Sequence, residues 1–158
     1  MTASSHPKTA EASKITIAQL MQPEHANNLG NVHGGWIMKL VDEAGALACM
    51  RHCRKKVVTV FIDQMEFHQP IRIGDLVTLT AEVTFTGRTS IEAEVKVTAE
   101  DPTTGDQVHT NTAYVVYVAL DSDRKPTQVP PIEAITPEQI MKLEEGRKRQ
   151  TERLARRK

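Results

Sequence analysis

From residue 36 to residue 53 the chain is apolar around most of a helical circumference, with polar side chains only at Lys39, Asp42, Glu43, Arg51 and His52. A helix of that kind buries more than one stripe and predicts a central position with other elements wrapped around it. It is expected to begin near Gly34 or Gly35, at the end of the run GNVHGG. Four β-branched, largely alternating segments follow: 57–67 (VVTVFIDQMEF), 76–86 (LVTLTAEVTFT), 90–99 (SIEAEVKVTA) and 108–119 (VHTNTAYVVYVA). Alternation over such lengths reads as strand. The intervening stretches 70–75, 86–88 and 101–106 are turn-forming, so the last three strands form an antiparallel meander. Ahead of the helix, Ile15, Ile17 and Leu20 mark a short strand within 14–21, and 23–31 is loop. One arrangement buries such a helix: an antiparallel sheet curled around it, giving an α+β domain over 14–135.

The ends read differently. Residues 1–13 are small and polar and are expected to form a disordered tail. Thr136, Pro137 and Glu138 signal a helix start, and 136–158 reads as a charged C-terminal helix. Its final stretch, GRKRQTERLARRK, sets seven basic residues against Glu152 alone, which reads as a solvated helix face.

Composition narrows the function classes. A chain of 158 residues holds one ordinary domain. Twenty basic and twenty acidic residues cancel, so no whole-molecule field steers it toward nucleic acid or an anionic membrane. No apolar run approaches the roughly 20 residues that span a bilayer. The opening MTASSHPKTAEASK lacks the apolar centre of a secretory signal and the arginines of a transit peptide. Cys49 and Cys53 sit four apart on the helix, where side chains run parallel and bridge poorly. Reduced thiols and a cytoplasmic location are expected.

Candidate chemistry gathers in 27–45 (NNLGNVHGGWIMKLVDEAG). Gly30, Gly34 and Gly35 surround His33 just ahead of the helix, where free N–H groups and the helix dipole suit a developing oxyanion. A tight turn between loop and helix accounts for the same residues. Asp42 and Glu43 point about 100° apart on a helix, so only one faces a given cavity. A salt-bridged surface with Lys39 is the plain reading of the pair, yet a carboxylate on so apolar a helix needs a partner or a role. Asn27 serves a turn or offers an amide to a ligand. The segment Gly87-Arg88-Thr89-Ser90 is a hairpin turn that also presents a guanidinium and hydroxyls. The six histidines form no metal-binding spacing, and no nucleophile elbow, P-loop or dinucleotide fingerprint occurs.

The run Asn27-x-x-Gly30-x-x-x-Gly34-Gly35, then Met38 and Asp42, with the later Gly87-Arg88-Thr89-Ser90 and Val129-Pro130-Pro131, resembles the hotdog-fold acyl-CoA thioesterases. The resemblance spans about 14–135 and extends to the charged C-terminal helix. It implies hydrolysis of acyl-CoA to fatty acid and CoA, without a cofactor beyond the CoA of the substrate. Asp42 takes the place of the catalytic carboxylate, as general base or nucleophile. Asn27 takes that of an amide from a neighbouring subunit, which positions water or the thioester. His33, Gly34 and Gly35 fall at the oxyanion and substrate-binding positions, with no proton-transfer role carried onto His33. Arg88, Thr89 and Ser90 are the expected CoA-binding residues, and the basic C-terminal run is a weaker candidate for a CoA phosphate. The resemblance also implies a homo-oligomer, with a dimer as the smallest active unit and a trimer of dimers as the assembly. His25 departs from the Asp or Thr of many relatives, which leaves its role open. The alternative is a hotdog acyl-CoA sensor that binds without turnover. A hydratase would need a His and acid pair in its own motif, which is absent.

Overall fold

The computed structural model describes residues 6–63 and 65–157. In chain order the elements are β1 (Lys8–Thr9), α1 (Ala10–Ser13), β2 (Ile15–Leu20), a 3-10 turn (Pro23–His25), α2 (Gly34–Cys53), β3 (Lys56–Asp63), β4 (Leu76–Thr86), β5 (Ser90–Glu100), β6 (Gln107–Leu120), β7 (Ile132–Glu133) and α3 (Pro137–Arg156). Strands β2-β4-β5-β6-β3 form one sheet in that order, antiparallel throughout. It curls around α2 as expected of a hotdog fold. Inward positions of β4, β5 and β6 alternate branched residues with alanines: Val95 and Val97 beside Ala93, Val115 beside Ala113 and Ala119, all fully buried. The facing helix contributes Ala44, Gly45, Ala48 and Cys49. Small side chains on both partners let sheet and helix approach closely, with Tyr117 the largest fully buried side chain among the described residues.

The helix is not enclosed on every side. Met38, Lys39, Glu43 and Leu47 lie on an exposed face, with Met38 at 42% and Leu47 at 36% exposure. The expectation that its apolar circumference leaves no broad exposed face is corrected: five strands cover only part of a cylinder.

Residues 8–13, expected within a disordered tail, form β1 and α1; residues 1–5 of that tail lie outside the described residues. The physical reason is pairing. β1 runs parallel to β7, Lys8 Nζ donates to the His52 carbonyl at 2.8 Å, and Ala10 and Ser13 are buried. The strand expected over 57–67 is shorter in the structure, where β3 ends at Asp63.

The segment before β7 is fastened to α2 by His52, whose Nε2 meets the Pro130 carbonyl at 2.7 Å. The carbonyl only accepts, so Nε2 carries the hydrogen, and Nδ1 is buried with no hydrogen-bond partner among the described residues. Burial holds this imidazole below its ordinary value of 6.5, outweighing the Pro130 bond.

On the outer face of the sheet, α3 is docked by buried charge. Arg149 reaches Glu92 with two bonds, Nε to Oε2 at 3.0 Å and Nη2 to Oε1 at 2.7 Å, while its guanidinium lies 3.7 Å over the Tyr114 ring. Thr84 Oγ1 donates to the same Glu92 Oε1 at 2.7 Å. Lys142 bridges Glu82 and Glu94 one helical stretch earlier. At Gly146 the helix comes so close that a Cβ would lie 2.6 Å from Phe85 Cβ. The reading of this basic run as a solvated face is therefore corrected for Arg149 and Arg153, which pack onto the sheet through Glu92.

Two outcomes follow from these attachments. Arg149→Ala leaves Glu92 buried with weaker partners and is expected to cost about 2–4 kcal/mol in urea unfolding. Because His52 binds its proton less readily folded than unfolded, wild-type stability is expected to fall as pH drops below 6.5 toward the lowered folded value. Urea midpoints measured from pH 7.5 to 5 check this, and His52→Gln is expected to flatten the fall.

Candidate functional site

Asp42 sits on the third turn of α2, half-buried at the border of the helix's open face. Two hydroxyls from adjacent strands converge on it. Thr59 Oγ1 of β3 donates to Asp42 Oδ1 at 2.7 Å. Tyr117 of β6 donates to the same Oδ1 at 3.1 Å and to the Asp42 carbonyl at 2.8 Å. Thr59 and Tyr117 are direct cross-strand partners, so strand register alone delivers both to one point. Tyr117 is fully buried. Burial, with the Asp42 carboxylate beside it, pushes its hydroxyl far above the usual tyrosine range, so it remains a donor throughout the working pH. Glu43, one residue on, pairs with Lys39 at 2.5 Å on the exposed side. The preference for Asp42 over Glu43 thus has a geometric counterpart.

The close approach of Tyr117 depends on Gly45. A Cβ there would lie 2.5 Å from the tyrosine hydroxyl and 3.2 Å from its ring.

At the other end of α2, His33 is the N-cap, and its Nδ1 accepts from the Gly35 N–H at 2.9 Å. Gly35, expected to offer its N–H together with Gly34, has that donor occupied. The Gly34 N–H makes no hydrogen bond among the described residues. Asn27 lies in the preceding loop, where its Oδ1 accepts from Leu29 N at 2.9 Å and Asn31 N at 3.2 Å. That turn use leaves the Asn27 amide nitrogen as the available group. Asn27 and Gly34 line one cleft of about 250 Å³ together with Ile37, Phe67 and Ile71. His25, whose role the sequence left open, is a loop anchor. It stacks on Trp36 at 4.2 Å, accepts from Gln22 N at 3.0 Å, and its carbonyl receives His33 N at 2.8 Å.

Asp42 is not among the residues lining the Asn27 cleft. Eight residues of helix separate Gly34 from Asp42, about 12 Å along the axis, far beyond the reach of an aspartate. Within one chain Asp42 and the Asn27 cleft are therefore apart.

Arg88, Thr89 and Ser90 form the β4–β5 hairpin, closed by Gly87 N to Ser90 O at 2.9 Å. The Arg88 carbonyl holds Val129 N at 3.0 Å, and its exposed guanidinium makes no hydrogen bond among the described residues. Ser90 and Val58 both pair with Val118, from opposite sides. The hairpin base thus lies two strand spacings, about 10 Å, from the strand that carries Thr59. Thr59 and Tyr117 are the residues that sequence reasoning missed. Both sit inside ordinary strand runs, and only the register reveals them.

With this geometry, the comparisons with known proteins fall into place. The thioesterase superfamily profile matches residues 29–105. The chain is 38% identical over 143 residues to the cytosolic acyl coenzyme A thioester hydrolase of Mus musculus, covering 85% of this chain. It spans 37% of that enzyme's length. An apo-hexameric acyl-CoA thioesterase structure matches with a TM-score of 0.91 and 34% identity over 96% of this chain and 97% of the other. An acyl-CoA hydrolase from Staphylococcus aureus, in complex with butyryl coenzyme A, coenzyme A and coenzyme A disulfide, gives 0.87 at 29% identity over 95% and 92%. The same enzyme has been solved with an aspartate, an asparagine and a threonine each replaced by alanine. Their numbers there are one higher than those of Asp42, Asn27 and Thr59 here. The chain belongs to the thioesterase superfamily, with the hotdog fold, and is similar there to proteins named acyl-CoA thioester hydrolases.

Gly45→Ala is expected to displace the Tyr117 ring and destabilise the fold by about 1–3 kcal/mol, the usual cost of overpacking a tight contact. Thermal unfolding of the variant beside wild type measures it.

Proposed function

We propose that this chain hydrolyses acyl-CoA thioesters to a carboxylic acid and CoA, in sites completed by two subunits. The observation that carries the reading is the Asp42 carboxylate. It is fixed by two hydroxyls at the edge of an exposed helix face, in a family whose relatives are acyl-CoA hydrolases.

In the proposed reaction Asp42 takes a proton from water, or attacks the thioester carbon itself to form an anhydride that water then opens. In the first route a C–O bond to water replaces the C–S bond and the proton held by Asp42 passes to the departing thiolate; in the second the thiolate leaves as the anhydride forms and takes its proton from solvent, and water then opens the anhydride to free the acid and Asp42. The Gly34 N–H of the neighbouring subunit, at the positive end of its α2 and in the same cleft as its Asn27, stabilises the charge on the carbonyl oxygen. The Asn27 amide nitrogen of the neighbouring subunit orients the water or the thioester. Arg88, with Thr89 and Ser90, is the candidate contact for the CoA portion, and no cofactor is required.

A shared site has support from the surfaces around Asp42. Val58 and Val60 are 44% and 43% exposed on β3, an edge strand, and Met38 and Leu47 are exposed on the open face of α2. Leu29, at the tip of the Asn27 loop, is 80% exposed. A second copy that covers this apolar rim would also deliver Asn27 toward Asp42. A homodimer is then the smallest competent unit, and the hexameric relative is consistent with a trimer of dimers. No described helix is long and apolar enough to cross a membrane, and a cytoplasmic site of action is part of this proposal.

Thiol release from a series of acyl-CoAs tests the activity, with Asp42→Ala expected to lower kcat at least 100-fold. Tight binding of acyl-CoA without turnover by the wild type would favour a sensor instead. Asp42→Ala and Asn27→Ala, refolded together, are expected to recover about a quarter of wild-type activity, because half the dimers are mixed and each holds one intact site. No recovery beyond the separate variants would contradict a site shared between subunits.

A further inference from the structure

We infer that Tyr117 is a positioning residue for the reaction: with Thr59 it fixes Asp42 through Oδ1, so that Oδ2 is the oxygen that reacts. The inference rests on the reading of Asp42 as the catalytic carboxylate.

Hydrogen-bond donors distinguish the two oxygens. A carboxylate presents two equivalent oxygens, and here the surroundings make them different. Oδ1 accepts from Thr59 at 2.7 Å and from Tyr117 at 3.1 Å. Oδ2 accepts no hydrogen bond among the described residues. The two hydroxyls occupy the lone pairs of Oδ1, so proton transfer or attack falls to the undonated oxygen.

Tyr117 adds what Thr59 cannot. Its hydroxyl also meets the Asp42 backbone carbonyl at 2.8 Å, so one donor grips main chain and side chain of the same residue. That double contact fixes the side-chain torsion as well as the position of the helix turn. Thr59, on the exposed edge strand, touches only the carboxylate. The absence of a side chain at Gly45 makes the grip possible. Tyr117 itself touches no substrate in this account. It acts through Asp42.

Tyr117→Phe keeps the ring in its slot and removes only the hydroxyl. The Asp42 carbonyl keeps its helical hydrogen bond, so the fold has no orphaned group. The expected result is a fall in kcat of about ten- to a hundredfold, from loss of a defined attack geometry, with KM within twofold of wild type. Thr59→Val on the exposed strand is the second variant. The two donors share one acceptor, so the effects of the double variant are expected to depart from the product of the single ones.

Asp42→Ala is assayed alongside. If it retains activity, the catalytic reading itself falls. If it is inactive while Tyr117→Phe turns over at the wild-type rate, or loses only thermal stability, the positioning role of Tyr117 is overturned and the catalytic reading stands. Strictly multiplicative effects in the double variant would also contradict a common grip on Oδ1.

Discussion

A single carboxylate tied to two neighbouring strands is the constraint on which this structure turns. Asp42 lies on the helix, Thr59 on β3 and Tyr117 on β6, and the three meet only when helix and sheet are in register. The dense run of alanines and valines between α2 and the sheet lets the two pack closely and helps to keep that register. Gly45 completes the arrangement by letting the tyrosine pass close to the helix backbone. The site is therefore as rigid as the core it borders.

The outer layers support the same end of the sheet. The segment that His52 holds through Pro130 also gives Val129 N to the Arg88 carbonyl, which joins the central helix to the hairpin expected to meet CoA. The α3 helix covers the opposite face through Glu92, on the strand next to β6. A buried ion pair of this kind contributes less to stability than its removal would cost, and its geometry fixes where the helix docks. What stays uncovered is the face of α2 around Asp42. A helix apolar enough for a core has been left open where chemistry is proposed to occur.

Much of this was legible in the sequence because the signals were local and periodic. The strand over 76–86 matches the observed β4, and the helix starts at Gly34 as its glycines suggest. Helical geometry said that only one of Asp42 and Glu43 faces a given cavity, and in the structure Lys39 pairs with Glu43 while Asp42 meets the strands. The illegible parts depend on contacts distant in the chain. Tyr117 and Thr59 are ordinary strand residues until register places them opposite each other. Glu92 and Glu94 alternate with apolar neighbours as if facing solvent, and only the docked α3 shows that the face is covered. Likewise, residues 8–13 lack the composition of a core element and are ordered by pairing with β7, more than a hundred residues away. The N–H of Gly35 was expected to be free because the cap chosen by His33 cannot be read from glycine spacing.

The central claim is that two half-sites, separated along α2 in one chain, meet between chains. A crystal structure of the assembled protein with an uncleavable thioether analogue of an acyl-CoA tests it most directly. The account predicts that the carbon standing for the thioester carbonyl lies nearest Asp42 Oδ2 of one subunit and faces Asn27 of another. An analogue seated against Asp42 and Asn27 of the same chain, or bound away from Asp42, would contradict it.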